Sequence, residues 1–207
     1  MGSREYFDRV AGRWDEMRRG FFSEAVRDKA LAAAGVEPGR RAADVGAGSG
    51  FLTEGLLSRG LSVVAVDQSP EMLEEMKRKF GAAEGLELRK GAAGSLPLAD
   101  GEVDYVLANM YLHHVESPGE AVREMVRALR PGGTLVITDL DEHRFDFLLK
   151  EHNDRWPGFK REDVRKWFEQ AGLSEVAVDC AGENCCAASE CGGQEAQVNI
   201  FLAKGRK

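Results

Sequence analysis

No cysteine occurs before residue 180, and the four the chain has fall together at Cys180, Cys185, Cys186 and Cys191. That excludes a fold stapled through its core by disulfides. A chain of 207 residues can bury a sufficient core without them. No apolar run approaches the roughly 20 residues of a membrane-spanning helix. The start, MGSREYFDRV, lacks the apolar centre of a secretory leader. Positive charge is not in excess: the formal net charge is −7, which argues against broad electrostatic binding of nucleic acid. There is no repeat and no low-complexity tract. What is left is one cytoplasmic domain over residues 1–207, in a compartment that keeps thiols reduced. Its hydrophobic fraction of 43% and charged fraction of 30% are ordinary for such a domain.

Residues 4–35 read as helical, with Tyr6, Val10, Trp14 and Met17 at helical spacing and Gly35 as the stop. After the turn VEPGRR the pattern alternates. Strands are expected at 42–45, 62–67, 86–91, 103–110, 134–140, 174–179 and 196–203. Helices are expected at 51–60, 70–81, 117–133 and 161–172. Pro70 stands near a first turn, Ser117 is a candidate cap, and Pro131-Gly132-Gly133 a stop. Such alternation predicts an α/β fold: a Rossmann-like, doubly wound seven-stranded sheet, mostly parallel, with helices on both faces. The last two strands have only a loop between them, so the final strand is expected to return antiparallel.

The stretch DVGAGSG (44–50) joins the first strand to a helix. Gly46, Gly48 and Gly50 allow a sharp turn and close approach to a ligand. Asp67 ends the next strand, where an acidic residue can accept both hydroxyls of a ribose. The spacing is Gly-x-Gly-x-Gly, not the Gly-x-Gly-x-x-Gly of dinucleotide sites, which disfavours a nicotinamide-dependent oxidoreductase. Asp44 would sit poorly beside a pyrophosphate. It suits a ligand with an ammonium group, such as the methionine part of S-adenosylmethionine. The plainer alternative is a tight strand–helix turn that holds nothing.

AADVGAGSGFLTEGL, VVAVDQSPEMLEEM, LPLADGEVDYVLANMYLHHV and EMVRALRPGGTLVITDL, taken together, resemble the class I S-adenosylmethionine-dependent methyltransferases. They are most similar to the small-molecule branch with the quinone-biosynthesis and arsenite methyltransferases. The resemblance covers residues 5–140 and implies S-adenosyl-L-methionine as cofactor. It implies that Gly46, Ala47 and Gly48 line the methionine portion while Asp44 holds its ammonium group. Asp67 would bind the ribose, Gln68 and Met72 would flank the adenine, and Ala92 and Ala93 would offer it a backbone edge. Asn109 and Met110 would face the sulfonium. Many relatives carry an acidic residue where this chain has Ala92, so that adenine contact must be missing or made otherwise.

Methyl transfer from a sulfonium is an in-line displacement in which a protein mainly supplies proximity and alignment. The lack of a Ser–His–Asp or paired-carboxylate constellation is therefore no objection. His113 and His114 follow the fourth strand, on the edge where ligands bind in open α/β sheets. Either could be a general base, or both could simply fix the loop. Residues 1–36, with Tyr6, Phe7 and Trp14, are expected to form a lid over the cofactor or an ordinary packing helix. His143, His152 and the acidic residues of 139–159 follow the fifth strand and could bind a metal, though at no standard zinc spacing, or form a solvated helix face; Trp156 and Phe159 could instead line a pocket.

The strand at 174–179 should run parallel to its neighbours, which would hang a cysteine-rich loop, 180–195, on the ligand edge. Its Cys-x4-Cys-Cys-x4-Cys spacing lacks the Cys-x2-Cys knuckle of common zinc sites. Cys185 and Cys186 should point apart. Cys180, one of that pair and Cys191 could still surround a soft ion. The readings are a metal site, a grip on a metalloid or thiol acceptor, or incidental thiols. The functional expectation is methyl transfer to a small molecule, with no nucleic-acid partner. The alternatives are arsenite or thiol methylation through Cys180–Cys191, or a non-catalytic S-adenosylmethionine-binding module.

Overall fold

The computed structural model describes residues 2–81, 83–189 and 195–207. The N-terminal segment is broken into α1 (Ser3–Val10), a 3-10 turn, α2 (Trp14–Phe21) and α3 (Glu24–Ala34). Ser23 caps α3 through the Ala25 N–H, and left-handed Gly35 ends it. Then follow β1 (Arg41–Val45), α4 (Phe51–Ser58), β2 (Ser62–Asp67), α5 (Pro70–Phe80), β3 (Leu86–Lys90) and β4 (Val103–Asn109). The chain continues through α6 (Pro118–Ala128), β5 (Leu129–Leu140), α7 (Asp146–Glu151), α8 (Arg161–Gln170), β6 (Ser174–Ala188) and β7 (Glu195–Arg206). The strands form one seven-stranded sheet in the order β3-β2-β1-β4-β5-β7-β6.

Strands β1 to β5 pair in parallel. Alternate residues of one strand serve opposite faces, as a period of two requires. Ala43, Val64, Val106 and Ile137 pack with Val122 and Met125 of α6 and Phe168 of α8. Ala42, Val63, Leu107 and Val136 pack with Val26 and Leu31 of α3 and Leu52 and Leu56 of α4. Both faces are thus covered, which is why these strands read as near-continuous apolar runs. Among the described residues no helix is long and apolar enough to cross a membrane.

Two boundaries differ from expectation. Helix α6 stops at Ala128 instead of running to 133: Leu129 is fully buried, takes an extended backbone and pairs with Val103. The residue before Pro131, Arg130, is sterically kept out of the helical region.

The second difference lies at the expected loop 180–195. Strand β7 is antiparallel to both β5 and β6, so β6 runs in the same sense as the parallel strands, as expected. Strand β6 does not end at 179. After a register shift between Cys180 and Asn184, it continues as a hairpin arm to Ala188 opposite Glu195. The polar, cysteine-rich composition hides this arm. Its partner carries buried Ala196 and Val198, which pack with Phe147 and Leu148 of α7, and that packing holds the arm as strand.

Candidate active site

The glycine loop leaves β1 under tight constraint. Gly46 has φ +70°, and a Cβ there would lie 2.1 Å from the Tyr111 ring, so both conformation and space demand glycine. The Gly46 and Ala47 N–H groups donate to the Val66 carbonyl at 2.9 and 3.1 Å. The Gly48 N–H donates to Asp67 Oδ2 at 2.8 Å, and the Ser69 N–H to Asp67 Oδ1 at 2.9 Å. The Gln68 N–H also bonds this carboxylate. Burial raises the Asp67 pKa against these bonds.

Asp44 is buried, and its Oδ2 accepts the Thr53 N–H at 2.9 Å and the Thr53 hydroxyl at 2.7 Å. Burial, resisted by Thr53 and assisted by the charge of Asp67, pushes its carboxyl up to about 7. Such a group invites a cation into the site, because a positive partner offsets the cost of its buried charge.

These residues open onto a cleft of about 390 Å³ at the carboxyl edge of the sheet. Of the residues expected there, Asp44, Gly46, Ala47, Gly48, Asp67, Gln68, Ala92, Ala93, Asn109 and Met110 line it. Two expected cofactor residues do not. Met72 is fully buried beneath α1, packed with Tyr6, Val10 and Ala11. Gly50 is the left-handed N-cap of α4, and a Cβ there would meet Phe80 at 2.4 Å, so its role is packing. Asn109 Oδ1 accepts the Thr138 hydroxyl at 2.8 Å, and Met110 adopts φ +51°, a conformation costly for methionine.

Arg18 is a lining residue that the sequence reading missed. It is only 7% exposed, its guanidinium carbon is 4.2 Å from the Phe51 ring centroid, and one nitrogen pairs with Glu24 at 2.9 Å. Its Nε and Nη1 are buried without a hydrogen-bond partner. The cleft thus offers a buried cation with two open nitrogens, a buried acid and a ribose-type carboxylate. That donor set fits a zwitterionic amino-acid head joined to a nucleoside.

A second cavity, about 60 Å³, adjoins the first. Phe7, Trp14, Phe22, Met110 and His114 line both. Tyr6 and Phe21 complete its aromatic side, and His113, His152, Asp154 and Cys185 its polar side. His113 Nδ1 lies 2.5 Å from Asp139 Oδ1. Asp139 is held in place by the N–H groups of Tyr111 at 3.1 Å, Leu112 at 2.7 Å and Leu140 at 2.7 Å. Burial pulls the His113 pKa down, but the charges of Asp139 and Asp154 outweigh it and hold it at about 9. Burial and the neighbouring His113 keep His114 well below its ordinary value. The two histidines therefore have opposite tendencies, which adjacency in sequence does not reveal. Asp139 and Asp154 are the acids the sequence reading did not single out. The available signal was their place at the end of β5 and in the segment that follows it, on the ligand edge.

Trp156 belongs to neither cavity; it is 39% exposed, and its indole N–H donates to the Val115 carbonyl at 2.9 Å. That bond anchors it outside the cavities, contrary to the pocket role expected. Tyr6 and Trp14 do line the second cavity. His143 Nδ1 accepts the Phe145 N–H at 3.2 Å.

The cysteines divide by face. Cys180 and Cys186 are exposed, and Cys185 is half-buried against the second cavity. Burial, with the negative charge of Asp154, pushes the Cys185 thiol up to about 12, away from the thiolate that metals and electrophiles need. Cys191 lies outside the described residues. Among the described residues the cysteines contribute to no group of three ligands; His113, His114 and Asp154 form the one such group.

The methyltransferase domain family model matches residues 43–137. An uncharacterized methyltransferase of Mycobacterium tuberculosis is 41% identical over 131 residues, covering 63% of this chain and 50% of that relative. The chain thus spans about half the length of the mycobacterial relatives it matches. A demethylmenaquinone methyltransferase of Renibacterium salmoninarum is 31% identical over 164 residues, covering 71% of this chain and 68% of the relative. Among solved structures, a Haloferax volcanii protein in complex with the Trm112 methyltransferase activator superposes with TM-score 0.81 at 24% identity, covering 99% and 97% of the two chains. A SAM-dependent methyltransferase from Aquifex aeolicus gives 0.66 at 21% identity, covering 91% and 92%. At these identities the structures speak to the fold.

Proposed function

The chain belongs to the S-adenosylmethionine-dependent methyltransferase family, and from that premise we propose that it moves a methyl group to a small aromatic acceptor in the second cavity. The observation that carries the proposal is the wall common to both cavities, where Met110 and His114 separate the cofactor cleft from an aromatic pocket. When bound, S-adenosylmethionine supplies a methyl group on a sulfonium whose thioether is a good leaving group. Asp44 pairs with its ammonium, the free nitrogens of Arg18 with its carboxylate, and Asp67 accepts the ribose hydroxyls. Gln68, Ala92 and Ala93 border the adenine, and Asn109 and Met110 hold the end of β4 toward the reacting region. His113 and His114 form the polar wall that an acceptor hydroxyl would face.

Residues 1–36 act as the lid of a single cytoplasmic domain. An apolar cavity of roughly 150 Å³ is large enough to hold one benzene ring. The second cavity, about 60 Å³, is smaller, so α1 and α2 must shift to admit a ring and then close over it, excluding water. The Phe7, Trp14 and Phe21 rings suit a flat acceptor, in keeping with a demethylmenaquinone methyltransferase among the relatives. The protonated Cys185 and outward Cys186 speak against thiol or arsenite capture.

The test is an acceptor screen with methyl-labelled donor across phenols, hydroquinones, amines, thiols and arsenite. Label is expected on a phenol or hydroquinone. Cofactor binding without transfer to any class would replace the proposal with a non-catalytic binding role.

A further inference from the structure

His113, His114 and Asp154 come from two segments far apart in the chain. The histidines lie on the 3-10 turn after β4, and Asp154 on the loop between α7 and α8. The Arg155 and Trp156 N–H groups donate to the His113 carbonyl at 2.9 and 3.1 Å, clamping that loop to the turn. Asn153 adopts φ +58° just before Asp154, a conformation asparagine tolerates. Asp154 Oδ1 consequently stands 3.7 Å from His113 Nε2 and 3.9 Å from His114 Nδ1. One ligand atom from each residue lies within 4.8 Å of the others, and both His113 and Asp154 are buried.

A hydrogen-bonded histidine–carboxylate network accounts for only part of this. At 3.7 and 3.9 Å neither contact is a hydrogen bond. His114 Nδ1 is buried with no hydrogen-bond partner, and so are both ring nitrogens of His152 on the same cavity wall. Buried polar nitrogens without a partner are costly and call for an ordered water or an ion.

We propose that His113 Nε2, His114 Nδ1 and an Asp154 oxygen hold a divalent transition cation of the zinc type, with its open position facing the second cavity. Two imidazoles and a carboxylate with a vacant position are a donor set that zinc takes. Ligands at the usual ~2.0–2.1 Å around a tetrahedral ion stand about 3.4 Å apart, so the two spacings to Asp154, 3.7 and 3.9 Å, need close by only about 0.3–0.5 Å. The Asp139 carboxylate accepts from His113 Nδ1–H, which turns the Nε2 lone pair toward the ion, as outer carboxylates do in metal sites. The ion's role, orienting an acceptor oxygen and easing loss of its proton, rests on the methyltransferase reading; its binding does not.

The test uses the full chain, stripped by chelator and titrated with Co²⁺ and then Zn²⁺. One Co²⁺ per chain is expected, with the visible bands of a four- or five-coordinate ion and no thiolate charge-transfer band, displaced by one Zn²⁺. His114→Asn and Asp154→Asn are expected to weaken binding at least tenfold, and Asp139→Asn, a positioning change, by about 10–100-fold. A variant with all four cysteines changed to serine is expected to bind as the wild type does. In the wild type, Zn²⁺ is expected to shift the imidazole ¹⁵N resonances of two of the four histidines. That readout stands even if a variant fails to fold. No stoichiometric uptake, unshifted imidazoles, binding that survives both ligand changes, or binding lost with the cysteines would each overturn the proposal. Methyl transfer is scored separately, so metal uptake without transfer counts against the functional reading alone.

Discussion

Asp44→Asn is expected to stabilise the cofactor-free protein while weakening its grip on the cofactor, because one buried charge governs both. The Asp44 carboxyl is pushed up to about 7 from an ordinary 3.8. The folded protein therefore binds an extra proton between those values, and stability falls as pH rises through that window. A displacement of that size corresponds to roughly 4 kcal/mol of penalty once the group is ionised in the fold. Asparagine has the same shape without the charge. It keeps one oxygen for Thr53 and gives up about 1 kcal/mol of hydrogen bonding. The net gain at pH 8 is about 3 kcal/mol, or roughly 6–12 °C for a chain of this size. Near pH 4 the wild-type carboxyl is protonated in the fold and partly protonated in the unfolded chain, so little of the penalty remains and the gain should vanish or reverse. Binding of S-adenosylmethionine should weaken at least tenfold, the cost of about 1.4 kcal/mol for a lost ammonium pair. It should also lose the strengthening with pH, from 6 to 8, expected of the wild type. Thermal melts of both proteins from pH 4 to 8, with calorimetric titration of the cofactor, decide the matter. Parallel melting curves would refute the buried-charge reasoning, and unchanged affinity would refute the ammonium contact.

Arg18→Met keeps an apolar stem against Phe51 and Phe22 but removes the unpaired nitrogens, so cofactor affinity should fall about tenfold with little change in melting temperature. Equal affinity by calorimetry would exclude the carboxylate contact. Gly46→Ala strains a positive φ and strikes the Tyr111 ring, and should cost about 2–4 kcal/mol in denaturant melts. Adding Tyr111→Ala should recover part of that loss, and strict additivity of the two changes would show that the ring is not the obstacle. At pH 8, alkylation mapped by mass spectrometry should modify Cys180 and Cys186 well before Cys185, whose thiol stays protonated. Fastest labelling at Cys185 would contradict its placement.

How much was legible follows from the range of each interaction. The strand at 62–67, the helix from Pro70 and the glycine loop were each readable because period, caps and turn chemistry act within a few residues. Helix α6 was misjudged at its end because Leu129 is captured by a distant strand, Val103, not by its own neighbours. The arm of β6 was invisible because its stability depends on distant partners, Val198 and Phe147, against which its own Cys185 and Ala187 pack. Met72 was given to the adenine on resemblance, whereas its helical phase turns it under α1.

The sequence by itself determined the sheet, the sense of its strands and the residues of the glycine cradle, since local periodicity and backbone sterics suffice for those. Only the tertiary structure decided that Arg18 reaches the cleft and that Asp139, 26 residues from His113, holds that ring while Asp154 faces it. It also decided that the cysteines split between the surface and a cavity wall. Those are meetings of groups from separate segments, and the charge, burial and unsatisfied nitrogens that give the site its chemistry exist only once packing brings them together.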